Sequence, residues 1–257
     1  MSGMRRFFYW YLPLVVAAAA TAVFATGFYS FIRGDTGTPI DLLVRKPAAA
    51  PAAQPQTSIS PIILGDSLAR GAGDSAGLGI GGRLDQELRR RNVRASRTVN
   101  IAVNGARTAD LLHTLESPNV QTILGQSNVI IVSIGGNDLW GGTDWRNTPP
   151  PNPAAVMNDV LDRVVNVVEK VRASNPRARV FLIGLYNPFS QTPAGSGLTT
   201  LVNRWNAKLI DRFSQDTNVT VVQTSDIFAN HDRLSFDRFH PGDEGYTLIA
   251  RRIADAI

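Results

Sequence analysis

Residues 62–68 read Ile-Ile-Leu-Gly-Asp-Ser-Leu, an apolar run that passes directly into a Gly-Asp-Ser turn. A short run rich in β-branched residues and bounded by glycine is typical of a buried strand. Gly65 permits a tight turn from strand to helix. The stretch therefore predicts the first strand of an α/β domain, with Ser67 presented as a candidate nucleophile at its end.

Similar apolar runs recur along the chain, and helical patterns fill the intervals between them. The five runs lie near residues 60–64, 97–102, 128–134, 179–185 and 219–223. Alternation of this kind is what parallel α/β units require. It predicts a flavodoxin-like three-layer α/β/α sandwich with a five-stranded parallel sheet, closed by a helix at about 242–256. No Gly-x-Gly-x-x-Gly follows the first strand, which disfavours a dinucleotide site.

Three further motifs follow the first in sequence. They are Asn104-Gly105, then Gly135-Gly136-Asn137-Asp138 after an apolar strand, and Asp237-Arg238-Phe239-His240 near the C-terminus. In an open parallel sheet, ligands bind beyond the carboxyl ends of the strands. We therefore expect these motifs to meet residues 65–68 at that edge.

The four motifs resemble those of the SGNH hydrolases, also called GDSL lipases and acylhydrolases, over about residues 58–257. The resemblance implies that Ser67 attacks an acyl carbonyl and that Asp237 and His240 supply acid and base. It also implies that Gly105 and Asn137 donate hydrogen bonds to the oxyanion. The stretch at 185–189, Leu-Tyr-Asn-Pro-Phe, looks like a membrane-anchored or secreted bacterial subgroup described as lipase-like.

General chemistry asks for the same residue types. A serine hydroxyl needs a neighbouring base to take its proton during attack, and histidine can accept that proton and return it to the leaving group. Asp237 can hold the imidazole of His240 in the required tautomer. Backbone amides at Ser67 and Gly105, together with the Asn137 side chain, can stabilise the negative oxygen of the tetrahedral intermediate.

A second serine competes for the role of nucleophile. Residues 73–77, Gly-Asp-Ser-Ala-Gly, also fit the Gly-x-Ser-x-Gly pattern, which requires a strand immediately before it. Residues 69–72 are instead a Gly-containing loop, so Ser67 is favoured over Ser75.

Two other histidines compete for the role of base. His113 lies on a predicted helix among leucines, where a packing or surface role is expected, and His231 lacks a suitably spaced carboxylate partner.

The N-terminal segment determines where the domain works. Residues 7–32 contain no charged residue, a run longer than the roughly 20 residues that span a hydrocarbon core. Residues 1–33 are therefore predicted to be a transmembrane anchor, and Arg5 and Arg6 favour a cytoplasmic N-terminus with the catalytic domain extracytoplasmic. The alternative is a signal peptide cleaved near Val23-Phe24-Ala25, which would release a secreted domain.

Residues 34–57 are rich in proline and alanine and predict a semi-extended linker. Residues 58–257 then form the hydrolase domain. The chain has no cysteine, so it has neither disulfides nor a thiolate metal site. We expect no metal or organic cofactor.

The net charge is +5, and part of it comes from a cluster of arginines. These are Arg83, Arg89, Arg90, Arg91, Arg94 and Arg97. They could attract an anionic membrane or lipid headgroups, or they could form a solvated helix face. Nucleic acid binding is not expected, because the chain has no recognisable recognition module.

The sequence indicates less about the substrate than about the catalytic residues. Trp140 and Trp145 follow Asn137 in the loop at 139–153 and could wall a substrate pocket, or simply cover the sheet edge. A second loop at 187–197 leaves the same edge.

These patterns predict a serine esterase or acylhydrolase that cleaves carboxylic esters through an acyl-serine intermediate. Lipid or lysophospholipid esters lead by resemblance. The alternatives are an O-acetylesterase or acyltransferase acting on envelope polysaccharide, and a non-catalytic envelope binding protein.

Overall fold

The computed structural model describes residues 12–32, 58–140 and 152–257. The chain divides between residues 54 and 55 into two units. In the first unit, helix α1 spans Leu12–Ile32. Its segment Pro13–Ser30 is long and apolar enough to cross a membrane. An N-terminal signal sequence meets the same criterion, so the helix is compatible with both interpretations of this segment.

The second unit contains a five-stranded parallel sheet in the order β2-β1-β3-β4-β5. Its strands are β1 Pro61–Gly65, β2 Val99–Asn100, β3 Val129–Ser133, β4 Arg179–Ile183 and β5 Val219–Val222. All five predicted strands are present, but β2 is much shorter than the apolar run at 97–102. It pairs on one side only, with β1. Beyond Asn100, the amides of Ile101 and Val103 still donate to the carbonyl oxygens of Ile63 and Gly65 in β1.

Helices cover both faces of this sheet. They are α2 Ser67–Arg70, α3 Gly79–Arg90, α4 Thr108–Thr114, α5 Pro118–Gln126, α6 Gly136–Trp140, α7 Pro153–Ser174, α8 Gly195–Phe213 and α9 Asp243–Ala256. Short 3₁₀ turns lie at Ile227–Ala229 and His231–Arg233. The final helix begins within one residue of its predicted start.

Alternation along β1 sends side chains into two separate cores. Ile62 and Leu64 pack on one face with residues of α4, α5, α7 and α8. Ile63 packs on the other face with residues of α3 and α9. All three side chains are fully buried, as expected for a central strand covered on both faces. The predicted three-layer α/β/α sandwich is therefore confirmed, with β1 in position to deliver Ser67 to the carboxyl edge.

Candidate active site

The turn after β1 is held by Asp66. Its Oδ1 accepts hydrogen bonds from the amides of Leu68 (3.1 Å) and Ala69 (3.5 Å), which caps the start of α2. The same oxygen accepts from Ser133 Oγ at the end of β3, at 3.1 Å. Burial raises the pKa of Asp66 to about 6, although these hydrogen bonds oppose the rise. Asp66 thus ties the nucleophile turn to the neighbouring strand.

Gly65 allows this turn to run against β3. Its φ is +131°, and a Cβ atom there would lie 1.7 Å from the carbonyl oxygen of Ser133. That separation is far inside van der Waals contact, and both atoms belong to elements of the central sheet. No side chain can be placed at residue 65 without moving the backbone that carries Ser67.

Replacing Gly65 with Ala is therefore expected to lower the free energy of unfolding by about 4 kcal/mol or more, through backbone strain and overlap with β3. The matched control is Gly77→Ala, because Gly77 also has positive φ (+65°) but open space around its missing Cβ. The control should lose only about 1–2 kcal/mol. Urea denaturation of both variants measures the difference, and equal losses would show that the close approach to Ser133 is unimportant.

A chain of hydrogen bonds joins Ser67, His240 and Asp237. Ser67 Oγ lies 2.8 Å from His240 Nε2, and His240 Nδ1 lies 2.6 Å from Asp237 Oδ2. Ser67 comes from the start of α2, whereas the other two residues lie in the loop before α9. The fold therefore brings together three residues that the sequence predicted as a set.

Asp237 is itself fixed by three donors to its other carboxylate oxygen. Oδ1 accepts from Ser235 Oγ at 2.7 Å and from the backbone amides of Phe239 and His240 at 2.8 and 2.9 Å. Desolvation alone would raise the pKa of Asp237, but the hydrogen bonds from His240, Ser235 and these amides hold it well below its usual value. The Asp237 carboxylate is therefore ionised at any pH at which His240 can act as a base.

Asn137 lies at the start of α6, at the end of the loop after β3. Its Nδ2 donates to the carbonyl oxygen of Ala106 at 2.9 Å. An asparagine amide carries two N–H groups, so this bond orients the side chain and leaves a second hydrogen that can serve a ligand.

A neighbouring cluster that sequence reasoning missed holds Asn137 in place. The side chain of Asp138 accepts from Thr108 Oγ1 at 2.6 Å and from the Thr108 amide at 2.9 Å. Arg163 from α7 donates to Thr108 Oγ1 at 2.7 Å and approaches Asp138 at 3.4 Å. The cluster ties α6 to the start of α4. Asp138 beside Asn137 was visible in the sequence, but its two partners are distant along the chain.

Gly105 occupies a different position from the other predicted site residues. Its φ is +79°, and nothing lies within 4 Å of where its Cβ would be. It is adjacent to Ala106, which binds Asn137, yet it lines a neighbouring cavity with Gly65 and Ile101 rather than the pocket at Ser67. Its role as an oxyanion donor stays a prediction.

The pocket at Ser67 is small, with a volume of about 40 Å³. Asn137 and His240 share its lining with Ser67, and the other side is apolar, with Leu185, Tyr186, Pro188 and Phe239. Tyr186 Oη donates to the Phe239 carbonyl at 2.7 Å, which connects this wall to the loop that carries His240.

The two tryptophans predicted to bind substrate remain predictions. Trp140 is the last residue of α6, and only its backbone is described. Trp145 lies outside the described residues.

The competing serine and histidines have other partners. Ser75 Oγ donates to Asp243 Oδ2 at 2.7 Å, and its amide donates to Oδ1 at 2.8 Å, so it secures a loop to α9. His113 is exposed and lies 3.4 Å from Glu116. His231 Nε2 contacts Ser190 Oγ at 2.5 Å. Across residues 12–32, 58–140 and 152–257, no cluster of three or more His, Asp or Glu could hold a metal ion.

The chain is similar to known proteins in both sequence and fold. The model of the GDSL-like lipase/acylhydrolase family matches residues 63–248. A Bacillus subtilis (strain 168) protein named YpmR is 30% identical over 203 residues, which covers 76% of this chain and 79% of that protein. The spore germination lipase LipC of Bacillus licheniformis is 26% identical over 204 residues, covering 75% of this chain and 93% of LipC. The crystal structure of lipase Lip_vut3 from a goat rumen metagenome has a TM-score of 0.67 at 23% identity, covering 77% of this chain and 97% of that one.

Proposed function

The chain belongs to the GDSL-like lipase/acylhydrolase family and is a GDSL-type ester hydrolase, and from that premise we propose that it acts through an acyl-serine intermediate formed on Ser67. The observation that carries this proposal is the continuous hydrogen-bond chain from Ser67 Oγ through His240 to Asp237, with distances of 2.8 and 2.6 Å. Both separations are within the range needed for proton transfer and for orientation of the base.

In the first half of the reaction, Ser67 Oγ attacks the ester carbonyl as its proton passes to His240 Nε2. Asp237 stabilises the imidazolium through Nδ1–H. The tetrahedral intermediate collapses when the bond to the alkoxy group breaks, and His240 returns the proton to the departing alcohol. In the second half, water attacks the acyl-serine with His240 again as base, which releases the carboxylic acid and restores the Ser67 hydroxyl.

Asn137 is proposed to stabilise the negative oxygen that develops in both halves. The Ser67 amide at the start of α2 and the Gly105 amide are proposed as further donors. Ala106 accepts one Asn137 hydrogen and so orients the side chain, and Asn137 lines the same pocket as Ser67. A donor fixed in this way before the reaction is the condition for effective electrostatic stabilisation.

Replacing Asn137 with Ala is expected to lower kcat by about 100-fold or more, as is typical when one oxyanion donor is lost. KM should change much less, because the donor interacts most strongly with the transition state. Steady-state ester hydrolysis measures the effect, with thermal unfolding as a check on the fold. If kcat is unchanged, Asn137 does not take part in the reaction.

For the substrate, we propose lipid or lysophospholipid-type esters first. The apolar wall formed by Leu185, Tyr186, Pro188 and Phe239 suits an acyl chain, and LipC, a similar protein, is named as a lipase. The small volume of the pocket favours a second candidate, removal of an O-acetyl group from envelope polysaccharide, because an acetyl group needs little space.

Hydrolysis of a matched series of short- and long-acyl nitrophenyl esters tests the proposal and separates the two candidates. A kcat/KM that rises with acyl length supports lipid-type esters as substrates. A sharp preference for the acetyl ester supports O-acetyl groups as substrates. A folded protein that turns over none of these esters would contradict both.

We also propose that the catalytic domain is extracytoplasmic and held at the membrane by α1. The support is the apolar segment Pro13–Ser30 together with the two arginines that precede it in the sequence. Because the chain has no cysteine, a single Arg177→Cys substitution gives one label site. Failure of a membrane-impermeant maleimide to react with it in intact cells, with normal reaction after lysis, would contradict this location.

A further inference from the structure

A second and larger cavity lies along the outer edge of the sheet. Its volume is about 690 Å³. It runs beside α3 and is bordered by the end of α2, the loop at 93–98 and the short edge strand β2. It shares no lining residue with the pocket at Ser67. We call this cavity the arginine groove, after Arg70, Arg89 and Arg97 in its lining.

Several arginines of the basic cluster on and near α3 have structural partners. Arg83 lies 2.7 Å from Asp74. Arg90 and Arg91 lie 2.5 and 2.9 Å from Glu87. Arg91 also lies 2.6 Å from Asp255, so each of these three side chains has a carboxylate partner.

The three arginines of the groove differ from these. Arg70, Arg89 and Arg97 are exposed, and within the described part of the chain none of their guanidinium groups has a hydrogen bond or an ion pair with another residue. The groove also contains Asp85, but this carboxylate is buried and accepts hydrogen bonds from the amide and hydroxyl of Thr98, the latter at 2.5 Å. The groove therefore carries three arginines without an ion-pair partner and one carboxylate, so positive charge exceeds negative charge on this concave surface.

We propose that the arginine groove binds the phosphate group of a small phosphoryl ester. Guanidinium groups bind phosphate oxygens in pairs through parallel N–H donors, which makes arginine the preferred side chain for such ligands. A phosphate supplies both the negative charge and several acceptor oxygens, so one ligand can engage more than one of the three arginines. The volume leaves room for the alcohol portion of the ester. A lipid headgroup and a soluble phosphate ester share this chemistry.

The direct test is calorimetric titration of the full-length protein, held in neutral detergent, with glycerol 3-phosphate. We expect saturable binding that weakens about tenfold or more in the Arg89→Gln/Arg97→Gln variant, because each substitution removes charge-assisted hydrogen bonds. The matched control is Arg177→Gln/Arg204→Gln, which removes the same charge from exposed arginines outside the groove. The control should bind as the wild type does.

Titration with mixed micelles of detergent and lipid distinguishes a lipid headgroup from a soluble phosphate ester as the ligand. Tighter binding to micelles with phosphatidylglycerol than to micelles with phosphatidylcholine, lost in the groove variant only, supports the headgroup as ligand. Equal affinity for soluble glycerol 3-phosphate and for phosphatidylglycerol supports a free phosphate ester. The proposal is overturned if neither ligand binds saturably, or if both double variants lose the same affinity, since the effect would then be one of overall charge.

Ester hydrolysis provides a separate readout. Arg89 and Arg97 do not line the pocket at Ser67, so the groove variant should hydrolyse soluble nitrophenyl esters within about twofold of the wild-type rate. Loss of phosphate binding with retained hydrolysis supports a distinct site, whereas parallel loss of both would overturn it. The groove proposal can fail while the esterase mechanism stands.

Discussion

Replacing Ser67 with Ala should reduce kcat for any ester substrate by about 10⁴-fold or more, because loss of the nucleophile in a serine triad removes nearly the whole benefit of the triad. The Ser67 hydroxyl is the atom that His240 contacts, at 2.8 Å. The alanine variant keeps the backbone amide and the Asp66 cap, so the fold and the thermal midpoint should be preserved. Steady-state kinetics with a short-acyl nitrophenyl ester measures the loss.

The matched control is Ser75→Ala, in the other Gly-Asp-Ser segment of the chain. Ser75 Oγ bonds to Asp243 and not to a histidine, so its removal should leave kcat within about twofold of wild type while lowering the thermal midpoint slightly. Comparable losses in the two variants, or more than a few per cent residual turnover in Ser67→Ala, would exclude Ser67 as the sole nucleophile.

Replacing Asp237 with Asn should lower kcat by about 10⁴-fold, as is seen when the acid of a serine triad becomes an amide. The surroundings of Asp237 dictate this result. Three donors converge on Oδ1, so the asparagine would keep its oxygen there and direct its NH₂ group toward His240 Nδ1. Nδ1 would then have to accept, the ring proton would move to Nε2, and His240 could no longer take the proton of Ser67.

The matched control for that change is Asp232→Asn, which removes one negative charge from an exposed residue of the nearby 3₁₀ turn. It should leave kcat nearly unchanged. If Asp237→Asn retains more than about a tenth of wild-type activity, the carboxylate does not control the tautomer of His240. Thermal unfolding should be measured for both variants, because Asp237 also accepts hydrogen bonds from two backbone amides of its own loop.

The fold could be predicted because its main determinants are local. The strand runs, the glycine after β1 and the helical intervals are each visible within a few residues of sequence, and each agrees with the sheet that forms. β2 shows the limit of this reasoning. Its apolar run predicted six residues, but this edge strand has one neighbour and its regular part is Val99–Asn100, although the amides of Ile101 and Val103 still donate to β1.

Some residues of the candidate site could likewise be predicted from the sequence, and others could not. Ser67, Asp237 and His240 follow from motif and chemistry, and the hydrogen bonds join them as expected. Thr108 and Arg163 could not be identified, because their contact with Asp138 depends on how α4, α6 and α7 pack. The sequence also could not show that Arg70, Arg89 and Arg97 lack an ion-pair partner in the described part of the chain. It shows where arginines are, but not which of them have a carboxylate partner.

The bond between Ser67 and His240 joins residues 173 positions apart. During synthesis, the nucleophile turn leaves the ribosome long before the histidine that activates it, and α9, which follows the histidine, supplies much of one core. Hydrolytic competence should therefore arise only after His240 and α9 have been synthesised. A nascent or C-terminally truncated chain would expose its serine turn without the power to cleave the esters around it.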